Sequence, residues 1–387
     1  MNRFLIGAMA LALGVVPVTA QSLEDLNIQI HGYATQGFVY TTHNNWDTLN
    51  SSGGSPAWTE AVVNVTAQPQ PKLRVGVQAR YFLLGNFGNT VSLDWADADY
   101  KFSEKFGVRF GKVKTPEGMF NMTQDIDPAM IWSILPQSIY PVATRTSILS
   151  HLGGVVYGTL RLPAKAGTLG YQGWAGERNV AANDPLLEAF AESGILFPSG
   201  VTGHSDGATV QWHTPLKGLM VGSSESSNTN NGPSTLAGMF SGKETSGSFQ
   251  IPFYFGQYER NRLTLNAEYM RLPFYWNFNY TNGPVLKIAL DFRNWYGMAS
   301  YRVTNKLSVG SFFDSSINHQ APLGAARYQK NWDFSARYDL SSFLYLKAEE
   351  NLLNGTGGIG VSYYPVNNTG TLNPKSQLTI LKAGVSF

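Results

Sequence analysis

"KLRVGVQARYF", Lys72–Phe82, alternates with a period of two. Leu73, Val75, Val77, Ala79 and Tyr81 fall on one side of an extended chain, and Arg74, Gly76, Gln78 and Arg80 on the other. Successive side chains of a strand point to opposite faces, so this is a strand with one apolar and one polar surface. "RLTLNAEYM" repeats the pattern, with Leu263, Leu265, Ala267 and Tyr269 against Arg262, Thr264, Asn266 and Glu268. So does "NWDFSARYDL", with Trp332, Phe334, Ala336 and Tyr338 against Asp333, Ser335, Arg337 and Asp339.

Marking every such segment predicts about sixteen strands. They lie near 27–41, 57–68, 72–84, 91–102, 105–113, 148–161, 167–176, 205–214, 217–226, 246–257, 261–273, 291–302, 306–315, 328–339, 342–352 and 377–387. The links alternate in length. "PQP", "SE", "PL" and "SS" close four of the short ones, whereas 42–56, 114–147, 177–204, 227–245, 274–290, 316–327 and 353–376 are long. Only 85–90 is short on the long side. A soluble sandwich has no reason to sort its loops by parity. A membrane barrel does, with short turns at one rim, long loops at the other and its apolar face toward lipid. Closure also leaves no unpaired backbone edge in the bilayer. The expected fold is therefore all-β: a transmembrane antiparallel up-and-down barrel.

Composition agrees. Of 387 residues only 14% are charged, 13% are aromatic and the formal net charge is +2, which leaves no electrostatic footprint for nucleic acid. The absence of Cys excludes disulfide scaffolds and thiolate chemistry. Residues 1–20 read as a cleaved export signal: Arg3, an apolar run from Leu5 to Val16, then Val18-Thr19-Ala20. That run is shorter than the ~20 residues that span a bilayer as a helix. Residues 21–387 then form a single barrel domain. Phe102, Phe106, Trp212, Tyr301 and Tyr338 fall near short turns, where an interfacial aromatic girdle belongs. Leu381, Ala383, Val385 and Phe387 share one register in the last strand, which resembles the assembly signal of Gram-negative outer-membrane proteins.

The longest interruption begins with "GKVKTPEGMFNMTQDIDP", Gly111–Pro128, and continues through "MIWSILPQSIYP". Sixteen strands enclose a lumen too wide for side chains to fill. Met130, Ile131, Trp132, Ile134 and Leu135 suit a loop packed against an inner wall rather than one in water. The segment 114–147 is therefore expected to fold inward as a constriction. Arg74, Arg80 and Arg109 face the lumen from the strands, Lys112 and Lys114 stand where strand gives way to loop, and Glu117, Asp125, Asp127 and Arg145 lie on the loop. These nine residues are the candidate pore constriction. They either set a transverse field or pair to hold the loop, and Glu60, Asp94 and Glu268 also face inward.

"RFGKVKTP.G", from Arg109 to Gly118, followed by Asp125, "LPQS.YP" from Leu135 to Pro141 and then Arg145, resembles the equivalent region of Gram-negative porins. The nearest group is the phosphate-selective porin-like and related sixteen-stranded diffusion porins. The motif similarity covers about 109–161, while the architecture covers nearly the whole mature chain. The resemblance implies a passive water-filled channel for small hydrophilic solutes and ions; the arginine ladder and lysine cluster expected of phosphate-specific members are replaced here by fewer, mixed charges, which argues against phosphate selectivity. It implies a homotrimer in the outer membrane, with lipid and lipopolysaccharide as surroundings, no cofactor, no metal and no enzymatic activity. Rival readings are a solute-specific porin for phosphate, dicarboxylates or sugars, a barrel enzyme, and a structural or adhesion barrel. For the enzyme, His204-Ser205-Asp206 are adjacent in sequence, whereas triad members converge from separate segments. "NDPLLEAFAES", Asn183–Ser193, reads as a short capped helix in a long loop.

Overall fold

The computed structural model describes residues 26–387 except 192–193, 359–366 and 369. The proposed export signal at 1–20 lies outside the described residues. The order of strands is β1 (Gln29–Thr41), β2 (Ser55–Gln70), β3 (Leu73–Leu84), β4 (Phe87–Ser103), β5 (Phe106–Lys114), β6 (Ser150–Arg161) and β7 (Thr168–Val180). Then come β8 (Ile195–Leu196), β9 (Val201–His213), β10 (Leu219–Asn228), β11 (Asn231–Leu236), β12 (Phe240–Ser246), β13 (Phe249–Arg260) and β14 (Leu263–Tyr280). β15 (Val285–Arg302), β16 (Leu307–Asn318), β17 (Tyr328–Asp339), β18 (Leu344–Asn354) and β19 (Lys375–Ser386) complete the sheet. Helix α1 spans Arg145–Leu149 and α2 spans Pro185–Ala191.

All nineteen strands belong to one sheet, and β1 pairs antiparallel with β19, which closes it. β8, β11 and β12 lie in long-side connections, so the barrel itself has sixteen strands, as the alternation predicts. The seam is fixed by the chain end: Gly32 and Phe387 exchange backbone hydrogen bonds of 3.1 and 3.0 Å. Phe102 and Phe106 stack at 5.3 Å beside their turn, and Trp212, Tyr301 and Tyr338 are exposed on the outer wall near theirs. Among the described residues, no helix is long and apolar enough to cross a membrane.

Two expectations are corrected. The stretch 274–290 is not a long loop: β14 runs on to Tyr280, β15 begins at Val285, and only a tight link joins them. "FYWNFNY" reverses the apolar-outward pattern: the rings Trp276, Phe278 and Tyr280 face inward and are buried with Leu187 and Phe197, while Tyr275, Asn277 and Asn279 take the other face. The link at 227–245 is long as expected, and it holds the hairpin β11–β12, which pairs with β14. The rule of apolar residues outward also inverts on β13, where Phe249, Ile251, Phe253 and Phe255 face inward and are buried. α2 forms where the capped helix was expected, with Asp184 Oδ1 accepting from the Leu186 amide at 3.0 Å. The last residues of that stretch, 192–193, lie outside the described residues.

The inward rings of β13 make the barrel's core partly apolar, and removing one should cost what a buried ring costs. Phe253→Ala is expected to destabilise the folded barrel by about 3–5 kcal/mol. Heat-modifiability on electrophoresis would read this as a lowered unfolding temperature; an unchanged temperature would refute the inward assignment.

Candidate functional site: the inner loop

The connection between β5 and β6, residues 115–149, folds into the lumen and is tied to the wall at many points. Its first turn is held by β9, β10 and β14. Thr209 Oγ1 donates to the Pro116 carbonyl, and Ser226 Oγ to Glu117. The Gly118 amide reaches Ser224 Oγ at 2.9 Å and the Met119 amide reaches Glu268 at 2.8 Å. Gly118 has φ +66°, and a Cβ there would stand 2.6 Å from the Tyr140 hydroxyl and 2.7 Å from Glu268 Oε1. Only glycine allows this approach without displacing the anchor. Glu268 also accepts from the hydroxyls of Tyr140 at 2.8 Å and Tyr296 at 2.9 Å.

The middle of the loop crosses to the opposite wall. Asp125 accepts from Lys114 Nζ at 2.7 Å and from Gln78 at 2.9 Å, and the Tyr33 hydroxyl donates to its carbonyl at 3.2 Å. Asp127 sits between two ammonium groups of adjacent strands: Lys382 at 2.8 Å and Lys347 at 3.0 Å. The Tyr345 hydroxyl donates to it at 2.7 Å. The lysines also donate to loop carbonyls, Lys347 to Trp132 at 2.9 Å and Lys382 to Ser133 at 3.1 Å. Beyond this point carboxylates of the wall accept from the loop backbone, Glu349 from the Ser133 amide at 2.6 Å and Asp314 from the Ser138 amide at 3.0 Å. At the return, Arg145 grips Asp94 with two parallel bonds of 3.1 and 2.8 Å, a bidentate geometry.

Apolar contacts finish the attachment. Trp132, Ile139 and Tyr140 are buried with Met220, Met270, Tyr296 and Phe312, and Met130, Ile131 and Leu135 pack at the edge of that cluster. The Trp132 ring meets Phe312 edge-on at 5.3 Å. Ile134 joins a second cluster with Trp46, Trp58 and Leu378 on the other wall. The apolar residues of the loop thus pack against the wall, and Phe120 and Tyr140 likewise lie against each other and Tyr296.

The expected constriction residues are placed as follows. Arg74 pairs with Asp97 at 3.1 Å, Arg109 with Asp99 at 2.8 Å and Arg80 with Glu60 at 2.6 Å, all within the strands. The wall arginines are therefore not the partners of the loop acids; Lys114, Lys347, Lys382 and Ser226 are. Lys112 departs furthest from expectation. It pairs in register with Ala96 and Leu152, on the outer face shared with Phe110, and donates to the Leu93 carbonyl. Strict alternation from Arg109 already places it outside, so the signal was in the sequence. Lys347 and Lys382 were equally legible, because "LYLKAEE" and "TILKAGV" put each lysine opposite the apolar register. Their convergence on Asp127 was not, since it depends on how a long loop crosses the lumen.

Burial by itself would raise the carboxyl of Asp127, yet Lys347 and Lys382 more than offset this and hold it below the ordinary carboxylate range. Glu117, buried with only Ser226 and a more distant Arg178, moves the other way. Among the described residues, no group of three or more His, Cys, Asp or Glu could hold a metal ion. Ser205 is inward and buried, whereas His204 and Asp206 are exposed on the outer face, so these three do not converge.

No family model and no curated relative matches the chain. Solved structures do match in fold. They include in-vitro-folded OmpT of Vibrio cholerae in a trimer form, with 13% identity, 93% of this chain and 99% of that chain covered, and a TM-score of 0.56. The anion-selective porin from Comamonas acidovorans aligns at 11% identity over 93% of this chain and 99% of its own, with a TM-score of 0.56. Salmonella typhi OmpF, in complex with daunomycin, aligns at 15% identity over 95% and 99%, also at 0.56. The fold is that of the sixteen-stranded Gram-negative porins.

Asp127 gives a pH signature. A carboxyl depressed in the folded state contributes stability that is present above its unfolded value, about 3.9, and lost as pH falls through the lower folded value. Loop attachment is expected to persist below pH 4 in the wild type. Asp127→Asn leaves two buried lysines without their counter-charge, at a cost of about 3–5 kcal/mol. Limited proteolysis at neutral pH should therefore cut the loop of the variant and spare that of the wild type; equal resistance would contradict the anchor.

Proposed function

We propose that this protein is a passive outer-membrane channel for small hydrophilic solutes and ions, exported through residues 1–20 and working as a homotrimer without cofactor or chemistry. The observation that carries this reading is the inner loop. A barrel whose lumen served only as a scaffold needs no charged segment fixed across it at several points. A channel does, because the loop sets the width of the passage. The trimer form named for the Vibrio cholerae OmpT structure supports the assembly.

The passage is assigned to the side of β5–β7, beyond the loop's anchors at Gln78 and Asp94 on β3 and β4. The inner walls of β13–β16 and of β1–β4, β18 and β19 are covered by the loop through its two apolar clusters. On β5, β6 and β7, Gly111, Gly153 and Gly176 lie directly across from one another, with half-buried Arg109 and Tyr157 nearby. Small inward residues leave room there for water. Arg74 and Arg109 stand beside this passage with acidic partners, so the lining carries both signs. The charges of the loop itself are largely neutralised in contact pairs, and they serve attachment more than solute selection.

Planar-bilayer recording should show ohmic, stepwise currents. A unit charge 4–8 Å from a permeating ion in water is worth about 0.5–1 kcal/mol, a factor of about 2–5 in occupancy. Replacing Arg74 and Arg109 by Ala is thus expected to shift the reversal potential toward cations, while Lys112→Ala leaves it unchanged. A shift from Lys112→Ala alone would overturn the assignment of the passage. Block by a low concentration of one solute class would favour a solute-specific channel instead.

A further inference from the structure

Five arginines inside the barrel each meet a carboxylate at 3.1 Å or less: Arg74 with Asp97, Arg80 with Glu60, Arg109 with Asp99, Arg145 with Asp94 and Arg337 with Asp339. Arg178 of β7 does not. It shares the inward face with the buried Trp174 and Val180, and lies in register with Gly203 of β9. Among the described residues it makes no hydrogen bond or ion pair, and of its nitrogens only Nε is shut off from water. Glu117 and Asp184 are near enough to act on it through space, yet neither touches it. Glu117 holds the Ser226 hydroxyl and Asp184 the Leu186 amide.

His151 of β6 stands one step beyond the paired residues Leu152 and Glu177, which puts it beside Arg178 on the inner face. Its Nδ1 is 2.9 Å from Thr115 Oγ1, and its Nε2 is buried without a partner. With the Thr115 hydroxyl donating to Nδ1, Nε2 carries the proton and is a donor. A Cβ on Gly176 would stand 2.7 Å from His151 Cδ2, so the ring lies over that glycine. Glycine at 176 and 203 also leaves the guanidinium uncovered by neighbouring side chains.

We propose that Arg178, with His151 beside it, is a transient binding station for a small monocarboxylate passing through the channel. The proposal rests on the channel reading and names a solute class for it. A guanidinium fork matches the two oxygens of a carboxylate, and a charge without a contact partner in the chain gains one when such a solute arrives. Only one full positive charge is free, with Glu117 and Asp184 close by, so a second negative charge on the solute would meet repulsion. Position suits the role. β7 runs from the short turn toward the long-loop rim, so Arg178 stands on the rim side of Gly111, Gly153 and Gly176. Trp174, four residues back, is level with Arg109 through Val155. The two cationic side chains thus follow one another roughly 13 Å apart along the wall. A solute entering from the rim meets the free guanidinium first and the Asp99-paired one after it.

Single-channel recording in potassium chloride with added sodium propionate tests the station. Wild-type current is expected to fall saturably at millimolar propionate. Arg178→Gln should raise the half-reduction concentration at least about tenfold, the loss of a charge-assisted fork. Arg178→Lys keeps the charge without the fork and should fall between, which also supplies the reading if the glutamine variant does not fold. A conducting wild type that propionate leaves unaffected, or variants that propionate reduces as it does the wild type, would overturn the station while leaving the channel standing. Reduction by phosphate or succinate at lower concentration than propionate would overturn the monocarboxylate class. A folded wild type that never conducts would overturn the channel reading itself.

Discussion

Every feature of this molecule follows from one constraint: backbone amides and carbonyls in a bilayer must find partners within the protein. Pairing of β1 with β19 removes the edge strands, and the exchange between Gly32 and Phe387 carries that pairing to the last residue. Closure at sixteen strands then creates a second problem, a wide polar interior. The inner loop answers it, and it does so with groups the strands already point inward.

The loop is held by matched chemistry at each station. Where it exposes backbone amides, the wall offers carboxylates, Glu268, Asp314 and Glu349. Where it exposes carbonyls, the wall offers Lys347, Lys382 and Arg337. Among the described residues, Asp127 is the one acid that joins two wall strands through a charged pair on each side. Apolar rings from β13 to β16 seal the remaining contact. Buried charges are costly unless paired, and here Asp125, Asp127 and Arg145 meet opposite charges of the wall while Glu117 has only the Ser226 hydroxyl in contact, with the passage displaced to one side.

Much of the architecture was legible in the sequence, because a period of two and the parity of loop lengths are direct consequences of strand geometry. The strand at 328–339 emerges with the same bounds. The sequence misled where that geometry stops governing composition. From Phe274 to Tyr280 the inward residues Trp276, Phe278 and Tyr280 pack against loop residues rather than face a wet lumen, which reverses the polar-inward pattern. On β13 the inward face is apolar because the loop, not water, covers it. The inward folding of 114–147 and its apolar packing could be anticipated from Trp132 and its neighbours. The partners of its charges could not, since proximity across a lumen has no local sequence signal.

The central claim is that the inner loop sets the width of the passage. Its most direct test is the single-channel conductance of the wild type beside a variant in which residues 119–144 are replaced by a short Gly-Ser link. The account predicts a conductance step several times larger in the shortened form, in a barrel that still folds. Equal steps would show that the loop does not lie in the conducting path.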